Sequence, residues 1–322
     1  MKKNTNKKQV SIGIAKLAYR LPTHKKSIDQ LEKEGRINSS ASLLSDFGFK
    51  NCYIQEKIAK STDLLLESAK EVVSEIDRNN VSRIFLYSGI NSYLEKDNKE
   101  NALELFQYPV AELRHTLELP KANSLAISQQ GCSGLLSAID IAYHLLESSD
   151  VENESMVCAT VDVLPAGTKR EIMYNVMSDA AASVLITKNS EKNRIVHFHQ
   201  QILPYYWDTP LHENELLASY FPMAQRAIES ALSGAGLKIS DIKWVVPHNV
   251  SLRSWEILAK LVHIPMEKIW TNNIARIGHT VSSDHIINLV DMEKEGALKK
   301  GDYLLLFTFG FGASWSCLIL QH

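Results

Sequence analysis

Residues 125–146 read LAISQQGCSGLLSAIDIAYHLL, and this stretch decides the fold. Leu125 to Ser128 has the length and apolarity of a short strand. After it, Gln129-Gln130-Gly131-Cys132-Ser133-Gly134 forms a junction into a helix that runs to about Leu146. Gly131 lets the chain turn sharply from strand to helix. Cys132 then falls at a helix N-terminus, where free N–H groups and the macrodipole favour a thiolate and can also stabilise an oxyanion. Gly134 and Ala138 keep the helix slim for close packing. Locally, a small buried cysteine between glycines fits the same pattern, and both readings stand.

Working outward, strands are expected at Val10–Ala18, Arg83–Tyr87, Met156–Val161 and Ala180–Thr187. Helical stretches are expected around Ser27–Glu34, from Ser61, and over Asn101–Leu117. The RIFLY run at Arg83–Tyr87 is continuously apolar, as befits a strand covered on both faces. The polar segment Lys188–Arg194 marks a boundary, dividing the chain into residues 1–190 and 191–322. The second part repeats the rhythm. Its expected strands are Ile195–His199, Trp244–Pro247, Ile269–Asn272, Tyr303–Thr308 and Ala313–Leu320, and its helices are Ala218–Gly234, Leu252–Val262 and Ser283–Gly296. Two similar halves of alternating strand and helix indicate an α/β protein with sheets sandwiched between helices.

Composition narrows the function. The chain has 322 residues, 45% hydrophobic and 22% charged, with a net charge of -2. That balance gives no field directed at nucleic acid or an anionic membrane. Lys2, Lys3, Lys7 and Lys8 precede no apolar run and read as a basic tail, not a signal peptide. Tyr303–Leu320 lacks charge, yet Gly310 and Gly312 interrupt it, so two buried strands are expected and no membrane span. The four cysteines, Cys52, Cys132, Cys158 and Cys317, show no metal-ligand spacing and no disulfide framework. A cytoplasmic protein with reduced thiols and no metal site is expected, His197 and His199 being ordinary strand residues.

Three further motifs are able to carry chemistry, although a satisfied structural histidine at 248 fits its local pattern as well. Val245-Val246-Pro247-His248-Asn249 delivers a histidine at the C-terminal end of a buried strand, the usual place for functional groups in open α/β sheets. A cysteine nucleophile needs such a histidine as base or hydrogen-bond donor. Gly278-His279-Thr280 precedes a helix, and Phe309-Gly310-Phe311-Gly312 is a turn able to bring a backbone N–H close to a ligand.

These motifs together resemble the β-ketoacyl-acyl-carrier-protein synthase III branch of the thiolase superfamily. GCSGLLSAIDIAYHLL around Cys132, SDAAASVLI around Asp179, VVPHNVSLR around His248 and IGHTVSSD around His279 occur in the family's order, between a VSIGIAKLAYRLP opening and an LLLFTFGFGASW close. The resemblance implies a thiolase-like fold with two similar halves in a five-layer αβαβα sandwich. It implies that Cys132 takes an acyl group from a carrier-protein or coenzyme A thioester. His248 and His279 then assist decarboxylative condensation with a malonyl-type thioester on an acyl carrier protein. The backbone N–H groups of Cys132 and Phe311 form the oxyanion hole. No cofactor is implied, and a homodimer is.

Three departures qualify the match. His279 stands where this branch usually has asparagine, giving a Cys-His-His set characteristic of the elongating ketosynthases. The final turn is GFG in place of GGG, so Phe311 doubles as a candidate gate of the acyl pocket. The tryptophan and arginine that hold coenzyme A have no match near Ser45–Asn51. These differences point to specialised biosynthesis. Two rivals are acyl transfer from Cys132 to an oxygen, nitrogen or sulfur acceptor without decarboxylation, and an inert subunit that shapes a partner's pocket.

Overall fold

The apolar runs that look the same from end to end in the sequence are strands with a covered face on either side. In the computed structural model, residues 11–56, 61–90, 103 and 106–322 are described. The N-terminal lysine cluster lies outside the described residues, as do residues 101, 102, 104 and 105 of the expected Asn101–Leu117 helix.

In chain order the elements are β1 (Ile12–Arg20), β2 (His24–Ser27), α1 (Ile28–Lys33), α2 (Ala41–Asp46), β3 (Asn51–Ile54), α3 (Ser61–Val72), β4 (Val81–Tyr87), α4 (Pro109–Thr116) and β5 (Asn123–Ile127). There follow α5 (Gly134–Ser148), β6 (Ser155–Asp162), β7 (Glu171–Ile172), β8 (Asn175–Val176), β9 (Ala180–Lys188) and β10 (Arg194–Ile202). The chain ends with α6 (Glu213–Ala235), β11 (Ile242–Pro247), α7 (Leu252–Leu261), α8 (Asn272–Arg276), α9 (Asp284–Lys294), β12 (Tyr303–Gly310) and β13 (Ser314–Gln321).

The main sheet has the order β11-β12-β13-β10-β1-β9-β6-β4-β5. Outward from β1, the pairings run antiparallel to β9, antiparallel to β6, then parallel to β4 and to β5. Outward from β10 the same sequence recurs: antiparallel to β13, antiparallel to β12, parallel to β11. The two stretches of sheet join at a single register pair, Gly13 with Arg194.

Strand residues alternate between faces, and here each face meets a different helical layer. Met156, Cys158, Ala182, Val184, Leu304, Leu306, Leu318 and Leu320 turn to a shared middle core with Leu135, Leu136 and Ile139 of α5 and Ile286 and Leu289 of α9. Val157, Ala159, Val161, Ala181 and Leu185 face the other way, onto Leu65, Ala69 and Val72 of α3. Leu305, Phe307, Cys317 and Ile319 face Ala224, Ala227 and Ile228 of α6 and Trp255 and Leu258 of α7. The layering is therefore helix, sheet, helix, sheet, helix.

Some elements differ from the sequence reading. Ile269–Asn272 is no strand: Ile269 makes one parallel bridge to Val245, and Asn272 already opens α8. The short turn Met266–Lys268 before it leaves no length for a ladder. Helix α6 starts five residues earlier than expected and continues through Pro222, which forgoes one main-chain bond while the buried Leu216 and Ala224 on either side keep the face packed. The charge-free run ends as the antiparallel pair β12 and β13. Among the described residues, no helix is long and apolar enough to cross a membrane.

Candidate active site

The turn that carries Cys132 is built from two residues with left-handed backbone. Gln129 has φ 64° and Gly131 φ 51°. A single 3-10 turn, Gly131–Ser133, then leads into α5, so the cysteine sits just ahead of the helix proper. Glycine is required at 131 for space as well as for φ. A Cβ there would stand 2.4 Å from the Phe311 amide nitrogen. Across the contact, a Cβ on Gly310 would stand 2.9 Å from the Cys132 nitrogen. The amides of Cys132 and Phe311 thus flank one tight junction between the cysteine turn and the β12–β13 turn. Tyr87 buttresses the turn from below: its hydroxyl donates to the Gly131 carbonyl, and its ring occupies the space a side chain at 134 would need.

His279 is placed by its backbone. Its N–H donates to the Val176 carbonyl and its own carbonyl accepts from Ser178, each at 2.8 Å. Its Nε2 lies 3.4 Å from the Cys132 sulfur. Its Nδ1 lies 2.5 Å from Asp284 Oδ2. Asp284 is fully buried and accepts further bonds from Thr280 N (2.7 Å), Thr280 Oγ1 (2.6 Å) and Asn249 N (2.6 Å). Burial works against charge on His279. The Asp284 carboxylate and then the Cys132 sulfur outweigh it and raise the imidazole well above its ordinary pKa. Burial likewise opposes charge on Asp284, but His279 and the converging donors hold its carboxyl below the usual range. A buried pair of this kind is tolerable because every oxygen of the carboxylate is hydrogen-bonded.

His248 follows directly on β11. Its N–H donates to the Phe307 carbonyl at 3.3 Å. Its carbonyl accepts from Trp255 Nε1 at 3.0 Å. Its ring stands edge-on to Phe307 at 5.6 Å, to Trp255 at 5.8 Å and to His279 at 6.0 Å. Burial, reinforced by the charge on His279, pushes its pKa well below the ordinary value, so it is a neutral imidazole. Nε2 meets the Tyr220 hydroxyl at 3.2 Å, while the buried Nδ1 has no hydrogen-bond partner.

Cys132 is 9% exposed, and that exposure opens onto a cavity of about 240 Å³ shared with His248, His279 and Phe311. The rest of the lining is mainly apolar, including Ile172, Met177, Leu216, Phe221 and Phe309. The other three cysteines are sealed. Burial pushes Cys52 up to about 12 and raises Cys158 and Cys317 further. Asp179, from the fourth family-like motif, lies outside the cavity. It forms a fully buried pair with Arg170 and accepts from Leu164 N at 3.0 Å, a scaffold role. No group of three or more His, Cys, Asp or Glu among the described residues could hold a metal ion.

Two residues in this constellation carry almost no local signal in the sequence. Asp284 opens a helix, where an acidic residue is routine. Its spacing of five from His279 is the one available hint. Tyr220 sits amid the apolar positions of α6 and reads as core.

Comparison with known proteins agrees with the fold. Residues 232–322 match the family described as 3-Oxoacyl-[acyl-carrier-protein (ACP)] synthase III C terminal. A β-ketoacyl-acyl-carrier-protein synthase III of Aquifex aeolicus (strain VF5) is 27% identical over 207 residues, 59% of this chain and 64% of the relative. The aligned part thus spans less than two thirds of that relative's length. In three dimensions, a crystal structure of 3-oxoacyl-acyl-carrier-protein synthase III from Aquifex aeolicus VF5 superposes with TM-score 0.81 at 22% identity, covering 97% of this chain and 100% of the other. The structure of ChlB3, described as an acyltransferase, superposes with TM-score 0.81 at 19% identity, over 97% of each chain. The chain is a thiolase-like α/β protein. Within that fold, the relatives it resembles are β-ketoacyl-acyl-carrier-protein synthase III enzymes, most clearly over residues 232–322.

Proposed function

We propose that the protein is an acyltransferase that carries an acyl group as a thioester on Cys132 and condenses it with a malonyl-type carrier-protein thioester. The carrying observation is the cluster itself: a thiol 3.4 Å from one imidazole, with a second imidazole 6.0 Å from the first, all on one mostly apolar cavity.

In the first half-reaction the Cys132 sulfur attacks the donor thioester carbonyl. The Cys132 and Phe311 N–H groups receive the oxyanion, and the donor thiol leaves with the proton. In the second, the extender's carboxylate departs as carbon dioxide and leaves an enolate. The His279 imidazolium donates from Nε2 to the enolate oxygen, together with the donor at the His248 corner. The enolate carbon attacks the acyl carbonyl, a carbon–carbon bond forms, and the cysteine sulfur is released. Each donor aimed at developing charge contributes about 3 kcal/mol. The chemistry calls on no cofactor. The Phe311 ring, packed edge-on to Phe309 at 6.0 Å on the lining of the same cavity, is the candidate gate of the acyl pocket.

Incubation with an acyl donor and malonyl-carrier protein tests the reading. Carbon dioxide release with a β-keto product is expected. Acyl-enzyme that forms yet never releases carbon dioxide across a range of donors would instead establish transfer to an oxygen, nitrogen or sulfur acceptor. The departures from the housekeeping pattern at His279, Phe311 and Ser45–Asn51 favour a specialised biosynthetic role, with the acyl donor a carrier-protein or coenzyme A thioester.

A homodimer completes the proposal. β5 is a sheet edge, with Leu125 45% exposed, and an open apolar edge is a template for a second copy. Sizing at micromolar concentration is expected to give twice the chain mass; a monomer at that concentration counts against it.

A further inference from the structure

The hydrogen bonding around His248 is incomplete in a way that bears on which atom meets the substrate. The ring is neutral and carries one N–H. Were that hydrogen on Nδ1, a buried donor would be left without any acceptor, a rarer and costlier fault than an unused lone pair. The hydrogen therefore belongs on Nε2, which lies 3.2 Å from the Tyr220 oxygen. Nε2–H then donates to Tyr220. The phenol oxygen is filled from that side, and its own O–H remains to be donated.

Tyr220 borders the same cavity as Cys132 and His279. Its ring is held edge-on by Phe309 at 5.3 Å and by Phe221 at 5.0 Å, so the hydroxyl is fixed in place. Burial, and then the sulfur of Cys132, raise the phenol's pKa, so it stays protonated and remains a donor.

We propose that Tyr220 is a catalytic residue whose hydroxyl, polarised by His248 Nε2–H, donates to the substrate oxygen that becomes negative during condensation. His248 then acts through Tyr220 as a positioning residue, and His279 supplies the second donor directly. No proton changes hands: the phenol keeps its hydrogen throughout, and the enolate oxygen gains one hydrogen bond as charge builds. The proposal rests on the condensation reading above and names the donor at one corner of it.

The test is Tyr220→Phe, which keeps the ring against Phe309 and removes only the oxygen. Acylation of Cys132, read by intact mass with an acyl-carrier-protein donor, is expected to change by less than about threefold, which also reports an intact fold. Carbon dioxide release from malonyl-carrier protein is expected to fall about a hundredfold, the usual effect of deleting one such donor. Equal losses in both half-reactions mark a structural role and overturn the proposal, as does condensation at the wild-type rate. Nitrogen-15 shifts of the histidine rings give an independent reading. The Nε2–H form of His248 is expected in the wild type, with its hydrogen bond lost in Tyr220→Phe, and the Nδ1–H form overturns the proposal. Wild-type protein that releases no carbon dioxide sinks the condensation reading itself, and the nitrogen shifts then decide the His248–Tyr220 arrangement alone.

Discussion

Cys132→Ala is expected to abolish acyl uptake and to lower turnover by about ten-thousand-fold or more, as removal of a covalent nucleophile does elsewhere. The effect should be nearly complete because no other thiol can stand in. Cys52, Cys158 and Cys317 are buried, and burial holds their thiols protonated. Intact-protein mass spectrometry with acyl thioesters makes the comparison: the wild type gains the mass of one acyl group and the variant gains none. The fold should survive, since alanine fits the turn and the buttressing bond from Tyr87 ends on the Gly131 carbonyl. An acyl adduct that persists in the folded variant would remove Cys132 from its role. It would also reopen the inert-subunit reading, in which the thiol is only filler.

Asp284→Asn is the second large change. The carboxylate accepts from His279 Nδ1, Thr280 N, Thr280 Oγ1 and Asn249 N, so the amide replaces an acceptor with a donor amid donors. Breaking one side of such a buried pair costs about 3–5 kcal/mol of stability. The condensation rate is expected to fall about a thousandfold, because His279 loses the partner that orients it and keeps it charged. The pH dependence of unfolding supplies a distinctive signature. His279 has a folded pKa raised above its unfolded one. Its contribution is therefore full below the ordinary imidazole range and fades as pH rises through the raised value. Asp284 has a lowered folded pKa, so its contribution is present above the ordinary carboxyl range and is lost on acidification. His248, with a lowered pKa, has the opposite sign from His279: it costs stability as pH falls below the ordinary imidazole range. In the wild type the two histidines offset one another on mild acidification. In Asp284→Asn both are buried without an anion, and stability should decline from pH 7.5 to 5.5. Denaturant titrations at those two values check this. A variant whose stability is the same at both would show that Asp284 does not set the charge of His279.

The parts of the site that the sequence exposes are those with local causes. Gly131-Cys132-Ser133-Gly134 is legible because a sharp strand-to-helix turn demands glycine next to Cys132, and the positive φ at 131 is that demand. His248 is legible as the residue just past an apolar run, since strand ends are where α/β sheets place chemistry. Asp284 and Tyr220 are not. One is an acid at the start of a helix and the other an aromatic on an apolar face, each commonplace until a fold sets it against an imidazole. The same limit explains Ile269, whose β-branched run looks like a strand although the next helix starts too soon for a ladder to form.

Periodicity, turn chemistry and residue order were enough to mark an α/β chain of alternating strand and helix, the glycine turn around Cys132 and the strand-end and helix-start positions of His248 and His279. Those signals are carried by neighbours within a few positions. Only the tertiary structure decided that the sulfur meets His279 and not His248, that Asp284 charges the first ring while burial keeps the second neutral, and that Tyr220 stands before it. These facts depend on distances between segments tens to hundreds of residues apart, and on the loss of water around them, which no local pattern encodes.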